Sequence, residues 1–363
     1  MPHWRGVARW QLALWLGLAV LGLAVAAAVA WKFKASSTAS SKASQTSASS
    51  AAAQAQEPAA SCPLPAPSAP TPHAGMVWVP AGQYTPGDTV YPEERPAGRV
   101  KVKGFWMDRT EVTNDEFARF VQATGHVTVA ERAVDASRQA PGMPAALSQP
   151  GALVFSPPDK LQAGVDVSAW WRYVPGAHWR QPGGAGTSIE GRGAYPVVAV
   201  TVQDARAYAA WLGRSLPSEA QWEWAARGGR DEAMPLKEQP RDANTWQGPF
   251  PHTNARQDGF AGLSPVGCFA ANPLGLQDMV GNVWELTGDV FGLHGQPQEA
   301  GPPLTVRAVA AKQYVIKGGS FLCSPDYCLR YRPGSRQPQD DDLGTSHVGF
   351  RTVLHAPGPA LLQ

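Results

Sequence analysis

Cys323 and Cys328 stand five positions apart in the stretch Gly318-Gly319-Ser320-Phe321-Leu322-Cys323-Ser324-Pro325-Asp326-Tyr327-Cys328. Two thiols at that spacing can act as a redox-active pair or close as a local disulfide, and the spacing alone leaves both open. A structural zinc site is disfavoured, because it needs four ligands and no His or Cys pair stands nearby at the usual spacing. The chain has 4 Cys in 363 residues, too few for a disulfide-built scaffold. The other two look unrelated to the pair. Cys62 lies in a Ser/Ala/Pro-rich stretch, and Cys268 lies in an apolar loop where a buried free thiol is expected.

The elements that must hold the pair are short. Met76-Val77-Trp78-Val79-Pro80-Ala81-Gly82 predicts a strand ended by Pro and Gly, and Val100 to Met107 predicts a second. Thr113-Asn114-Asp115-Glu116 is a capping box opening a helix that stacks Phe117, Phe120 and Val121 and stops at Gly125. Residues 126–195 carry few regular signals and predict a long, locally packed insertion. Tyr195 to Val200 reads as an apolar strand leading into a helix capped by Thr201 and Asp204 and ended by Gly213. Pro217 suits the first turn of a third helix, which carries Trp222 and Trp224 and ends at Gly228-Gly229. Beyond residue 240 the chain is short apolar pieces between Gly, Pro, Asn and Asp. With 37 Gly, 34 Pro and 14 Trp, the composition predicts a loop-rich α+β domain plugged by aromatics. A formal net charge of +2 gives no electrostatic case for nucleic acid, and no repeat, P-loop or dinucleotide fingerprint is present.

The N-terminus is different. Trp10 to Trp31 is an almost unbroken apolar run flanked by Arg5, Arg9, Lys32 and Lys34. About 20 apolar residues can span a bilayer as a helix. An uncleaved anchor over 1–34 is expected, the alternative being cleavage within Ala24–Ala30. Residues 35–74 are rich in Ser, Ala, Pro and Gln and predict a disordered linker. A globular domain over 75–355 would then stand outside the cytoplasm on a membrane tether, or be secreted if the segment is cleaved.

Three blocks resemble one family, the formylglycine-generating enzymes or sulfatase-modifying factors. They are Leu216-Pro217-Ser218-Glu219-Ala220-Gln221-Trp222-Glu223-Trp224-Ala225-Ala226-Arg227-Gly228-Gly229; Asn244-Thr245-Trp246 through Asp258-Gly259-Phe260 to Val280-Gly281-Asn282-Val283-Trp284-Glu285; and Gly318-Gly319-Ser320 to Cys328, Arg330-Tyr331-Arg332 and Gly349-Phe350-Arg351. The first two are signals of a superfamily that includes sulfoxide synthases and non-catalytic domains. The third resembles the enzyme's own active-site pair.

The resemblance implies an irregular, loop-rich α+β fold related to C-type lectins. It implies an aerobic oxidase that converts the cysteine of a Cys-x-Pro-x-Arg motif, in a still unfolded sulfatase chain, to Cα-formylglycine. Copper(I) would be held by Cys323 and Cys328, with dioxygen as co-substrate; soft thiolates suit that ion. Cys328 would also engage the substrate thiol. Ser320, Trp284 and Tyr327 match positions around the pocket, and Arg330 and Arg336 match basic residues there. Calcium is implied at two sets of oxygen ligands. One is Asn244, Thr245, Asp258 and Phe260; the other is Asp278, Gly281, Val283 and Glu285. The chain also departs from close relatives. His347 stands where they carry Asn, Ser324-Pro325 replaces a basic pair seen in some members, Pro338 replaces Gln, and Asp278 stands where relatives carry Asn. The acidic run Asp340-Asp341-Asp342 is either a solvated loop or a contact for the substrate arginine. Two other functions stay open: a non-catalytic binding module on the same fold, and an oxidase acting on a small thiol. The latter would want a cluster of metal-binding His, and the 8 His here are scattered.

Overall fold

The computed structural model describes residue 62 and residues 73–96, 98–134, 144–157, 170–232, 239–292 and 312–359. The expected anchor over 1–34 and nearly all of the expected linker lie outside these residues. Among the described residues no helix is long and apolar enough to cross a membrane.

Among the described residues, four small sheets carry the frame. β1 (Met76–Val79), β4 (Phe105–Asp108) and β11 (Val353–Leu354) form one, with β4 in the middle and antiparallel to both neighbours. The site-bearing sheet has the order β10-β7-β8-β9, built from β7 (Trp284–Val290), β8 (Gln313–Lys317), β9 (Gln337–Asp340) and β10 (Val348–Gly349). β7, β8 and β9 run antiparallel, whereas β10 runs parallel to β7, with Val348 opposite Trp284. Two hairpins complete the set: β2 (Gly82–Tyr84) with β3 (Val100–Val102), and β5 (Gly151–Phe155) with β6 (Trp171–Pro175).

Among the described residues, three α-helices pack on these sheets, and each begins with a capping box. α1 (Asn114–Thr124) has Thr113 Oγ1 accepting from Glu116 N, and Gly125 closes it at φ 69°. α2 (Val202–Trp211) is capped by Thr201 and Asp204, and the buried Asp204 carboxylate also accepts from His126 and from Val129 N. α3 (Glu219–Ala226) is capped by Ser218, so Pro217 lies just before the cap rather than in the first turn. Trp222 and Trp224 are both buried, each with its indole N–H placed: Trp222 donates to Glu285 Oε2 and Trp224 to Pro80 O.

Other expectations change in the structure. Val100–Met107 is two strands, broken at Lys103-Gly104, because Trp78 packs where a Cβ on Gly104 would stand. Tyr195–Val200 forms no regular strand. Pro196 has no N–H to give, Ala199 turns left-handed at φ 57°, and Val197 and Ala199 bond singly to Val112 and Thr345. The insertion is more regular than expected, since it supplies the β5–β6 hairpin. Cys62 and Cys268, expected to be unrelated, form a disulfide, which tethers position 62 to the domain. Their sequence separation of 206 hides the pairing from any local pattern.

The two larger core clusters explain the aromatic content. One packs Tyr84, Phe105, Met107, Trp222 and Trp224 between the first sheet and α3. The other packs Phe117, Phe120, Trp179, Tyr208, Trp284 and Phe350, and it includes Cys323 and Cys328.

Candidate active site

The Cys323–Cys328 loop hangs from the end of β8. Lys317 ends that strand inside the protein, bonded to Glu223 at 3.0 Å. Gly318 and Gly319 then turn at φ 95° and 73°. A Cβ on Gly319 would come within 2.9 Å of Tyr331 backbone, so only glycine lets the two arms of the loop approach this closely. Ser320 is fully buried. Its Oγ accepts from Leu322 N, and its carbonyl accepts from Cys323 N. Ser324 O accepts from both Tyr327 N and Cys328 N, which folds the four residues between the cysteines into one tight turn.

This geometry brings the two thiols together. Both are free and buried, with Sγ atoms 2.7 Å apart. That is longer than the about 2.05 Å of a disulfide and short for two neutral thiols. The Cys323 thiol is raised well above the ordinary range, chiefly by burial. The Cys328 thiol is lowered, chiefly because it accepts the Cys323 proton and also because Arg330 lies close. Of the two thiols, Cys328 is therefore the one that gives up its proton more readily.

Arg330 is held by groups far away in sequence. It pairs with Glu93 and lies 3.9 Å above the Tyr91 ring. Its neighbour Arg332 bonds Glu94 at 2.7 and 2.8 Å and also pairs with Asp88. Tyr91 and Glu93 were missed in the sequence because 237 residues separate Glu93 from Arg330 and neither sits in a motif.

The remaining candidates divide. Trp284 is buried at the start of β7, where its N–H donates to His347 O. Tyr327 is 36% exposed. It stacks on Phe250 at 4.1 Å, with Trp170 edge-on at 5.6 Å. Burial raises its hydroxyl to about 12, as do the adjacent cysteines. His347 packs at a tilt against Trp171, ring centroids 4.5 Å apart, its Nδ1 buried without a protein partner, and burial lowers it to about 3. It is a neutral ring rather than a cation. Arg336, expected among substrate contacts, is turned into the protein interior. Its guanidinium is buried, bonds both Glu219 oxygens at 2.8 and 2.9 Å and donates to Gly292 O. Asp340 of the acidic run is buried on β9 and accepts from Gln313, so it faces inward.

The two oxygen sets also divide. Asp258 accepts from Thr245 N at 3.3 Å and Phe260 N at 3.0 Å, and Asn244 donates to Gly262 O beside them. These four residues share one junction of hard oxygen donors, and their chemistry fits calcium. The other set does not fit as the structure holds it. Glu285 is fully engaged by Arg351, with two bonds of 2.7 Å, and by Trp222. Asp278 instead accepts from Gly267 N and lies near Glu111, and burial raises both acids, Asp278 to about 6.

Known proteins place this arrangement. A formylglycine-generating enzyme of Mycobacterium tuberculosis is 46% identical over 296 residues, covering 77% of this chain and 97% of that protein. An inactive Cα-formylglycine-generating enzyme 2 of Mus musculus is 36% identical over 299 residues, covering 78% of this chain and 87% of that protein. Among solved structures, PvdO from Pseudomonas aeruginosa aligns with 77% of this chain and 93% of its own at 26% identity and a TM-score of 0.48. The sulfatase-modifying factor enzyme 1-like domain matches residues 62–356, which span both cysteine pairs and every sheet, and the chain belongs to that family.

Proposed function

We propose that this protein is an oxidase that converts a cysteine of a sulfatase, in a Cys-x-Pro-x-Arg motif, to Cα-formylglycine. The observation that carries this reading is the free, buried Cys323–Cys328 pair in a chain whose other two cysteines are oxidised. A binding module has no use for two reduced thiols in contact.

The pair suits copper(I) as cofactor. Both donors are soft sulfurs, and Cys328 is the more readily deprotonated of the two. Bound there, copper would supply the centre at which dioxygen is reduced. The chain's own groups do the rest. Arg330, fixed by Glu93 and Tyr91, offsets the thiolate charge on Cys328. Tyr327, Phe250 and Trp170 form an apolar wall beside the pair that keeps water from it. His347 adds no charge. Calcium at Asn244, Thr245, Asp258 and Phe260 would brace the pair from behind, because Trp246 N, next in the chain, donates to Cys323 O. The disulfide and the apolar run Trp10–Trp31 support an extracytoplasmic, membrane-tethered domain, since disulfides persist in oxidising compartments.

The test is direct. The purified chain is incubated with copper, oxygen, a thiol reductant and a Cys-x-Pro-x-Arg peptide, and aldehyde is read by mass. Conversion is expected, with a loss of at least about 100-fold in Cys328→Ser, the size typical of removing an activated nucleophile or ligand. An inert wild type, or a variant as fast as wild type, sinks the reading.

A further inference from the structure

Buried donors without a partner are rare and destabilising, so each calls for an explanation. The Tyr331 hydroxyl is one. The residue is wholly buried, and among the described residues no other tyrosine hydroxyl is buried without a partner. Tyr84 shows the ordinary case: its hydroxyl, in the other large core cluster, donates to Ala220 O at 2.9 Å. Phenylalanine would fill the Tyr331 site equally well, so packing does not explain the oxygen. The position is fixed. Tyr331 backbone lies against Gly319, where a Cβ would stand 2.9 Å away, and the side chain packs in the same buried cluster as Cys323 and Cys328. Burial pushes the hydroxyl up, and both cysteines push it the same way, so the phenol lies within electrostatic reach of both sulfurs.

Whatever meets this hydroxyl must be small. Tyr331 is 0% and Cys323 1% exposed, so a polypeptide arriving from solvent stops short of it. Dioxygen is diatomic and apolar, and it enters a packed interior. While neutral it has little use for a donor. As it takes up electrons it becomes an anion, and a preorganised donor in a dry site is then worth far more than in water. We propose that Tyr331 is a further catalytic residue, whose hydroxyl donates a hydrogen bond to dioxygen as it is reduced beside the cysteine pair. The phenol keeps its proton and neither forms nor breaks a covalent bond. This rests on the reading that dioxygen is reduced at Cys323 and Cys328, with electrons from the substrate and the thiol reductant.

Tyr331→Phe removes the hydroxyl and keeps the ring. In the full chain, loaded with copper, the variant should lose on the order of 100-fold in kcat/KM for dioxygen, the size typical of removing one such donor. The rates are read as aldehyde formation across dissolved-oxygen concentrations. Its melting temperature should stay level or rise, because the hydroxyl bonds nothing at rest. Tyr84→Phe should instead melt about 2 °C lower with its oxygen dependence kept, since that hydroxyl has a partner. A fluorescent Ser-x-Pro-x-Arg peptide, with serine blocking chemistry, should bind copper-free Tyr331→Phe and wild type alike by anisotropy. A wild-type oxygen dependence in Tyr331→Phe overturns the proposal. So does a melting-temperature fall that matches Tyr84→Phe, which marks a structural bond such as one to a buried water. So does a loss confined to peptide affinity. Oxygen uptake without peptide is followed by electrode with the same reductant. Uptake that depends on Tyr331 but yields no aldehyde with a cysteine peptide defeats the sulfatase reading alone. Aldehyde formed at the wild-type rate by Tyr331→Phe defeats the hydroxyl contact alone. A wild type that neither takes up oxygen nor forms aldehyde defeats both.

Discussion

His347 shows how one side chain can tax a fold. Packed at a tilt against Trp171 with its Nδ1 unpartnered, it stays neutral in the folded protein down to about pH 3. An unfolded histidine takes its proton near pH 6.5. The folded pKa is the depressed one, so stability is complete above about pH 6.5 and falls as pH drops from there toward 3. The slope is at most about 1.4 kcal/mol per pH unit. His347→Asn should flatten that limb, as read by urea unfolding at pH 7 and pH 5. An equal loss in the variant would show that the ring is not the cause. Cys328 belongs to this scale too, since the prediction about it turns on one sulfur atom.

At the scale of elements, the active loop depends on backbone more than on side chains. Gly319 holds φ 73°, and a Cβ there would stand 2.9 Å from Tyr331 backbone. Gly319→Ala adds left-handed strain of about 1 kcal/mol or more and forces the two arms of the loop apart. Because Cys323 sits on one arm and Cys328 beside the other, the variant should lose activity far beyond its loss of stability. Activity and melting temperature measured together check this, and a folded, fully active variant refutes it. The capping boxes at Thr113 and Thr201 were legible because each is completed within four residues, whereas the Ser218 box was masked by Pro217, which reads as a first-turn residue. Tyr195–Val200 misled because apolar residues read alike in a strand and in a buried irregular segment, and only the partners at Val112 and Thr345 distinguish them.

For the whole molecule the Cys62–Cys268 disulfide is the long-range constraint. It closes a loop of 206 residues, and in the chain-entropy account such closure stabilises by up to about 5 kcal/mol. Cys62→Ser should lower the melting temperature by several degrees while leaving aldehyde formation by the Cys323–Cys328 pair intact. A variant inert at temperatures where it is folded would show that the disulfide also shapes the site. The cation sets make the same point. Thr245 N and Phe260 N both donate to the Asp258 carboxylate, whereas Glu285 is engaged by Arg351 from 66 residues away.

By itself the sequence determined the local things: the helix caps, the glycine turn before the thiols, the aromatic core and the family-like motif around Cys323 and Cys328. These rest on contacts between residues close along the chain, where spacing is geometry. Tertiary structure alone decided which cysteines are oxidised, that Arg336 is buried while Arg330 attends the thiolate, that His347 is neutral, and that Asp326 is left facing outward. Charge state and availability depend on burial and on partners hundreds of residues away, and those are set only when the chain has folded back on itself.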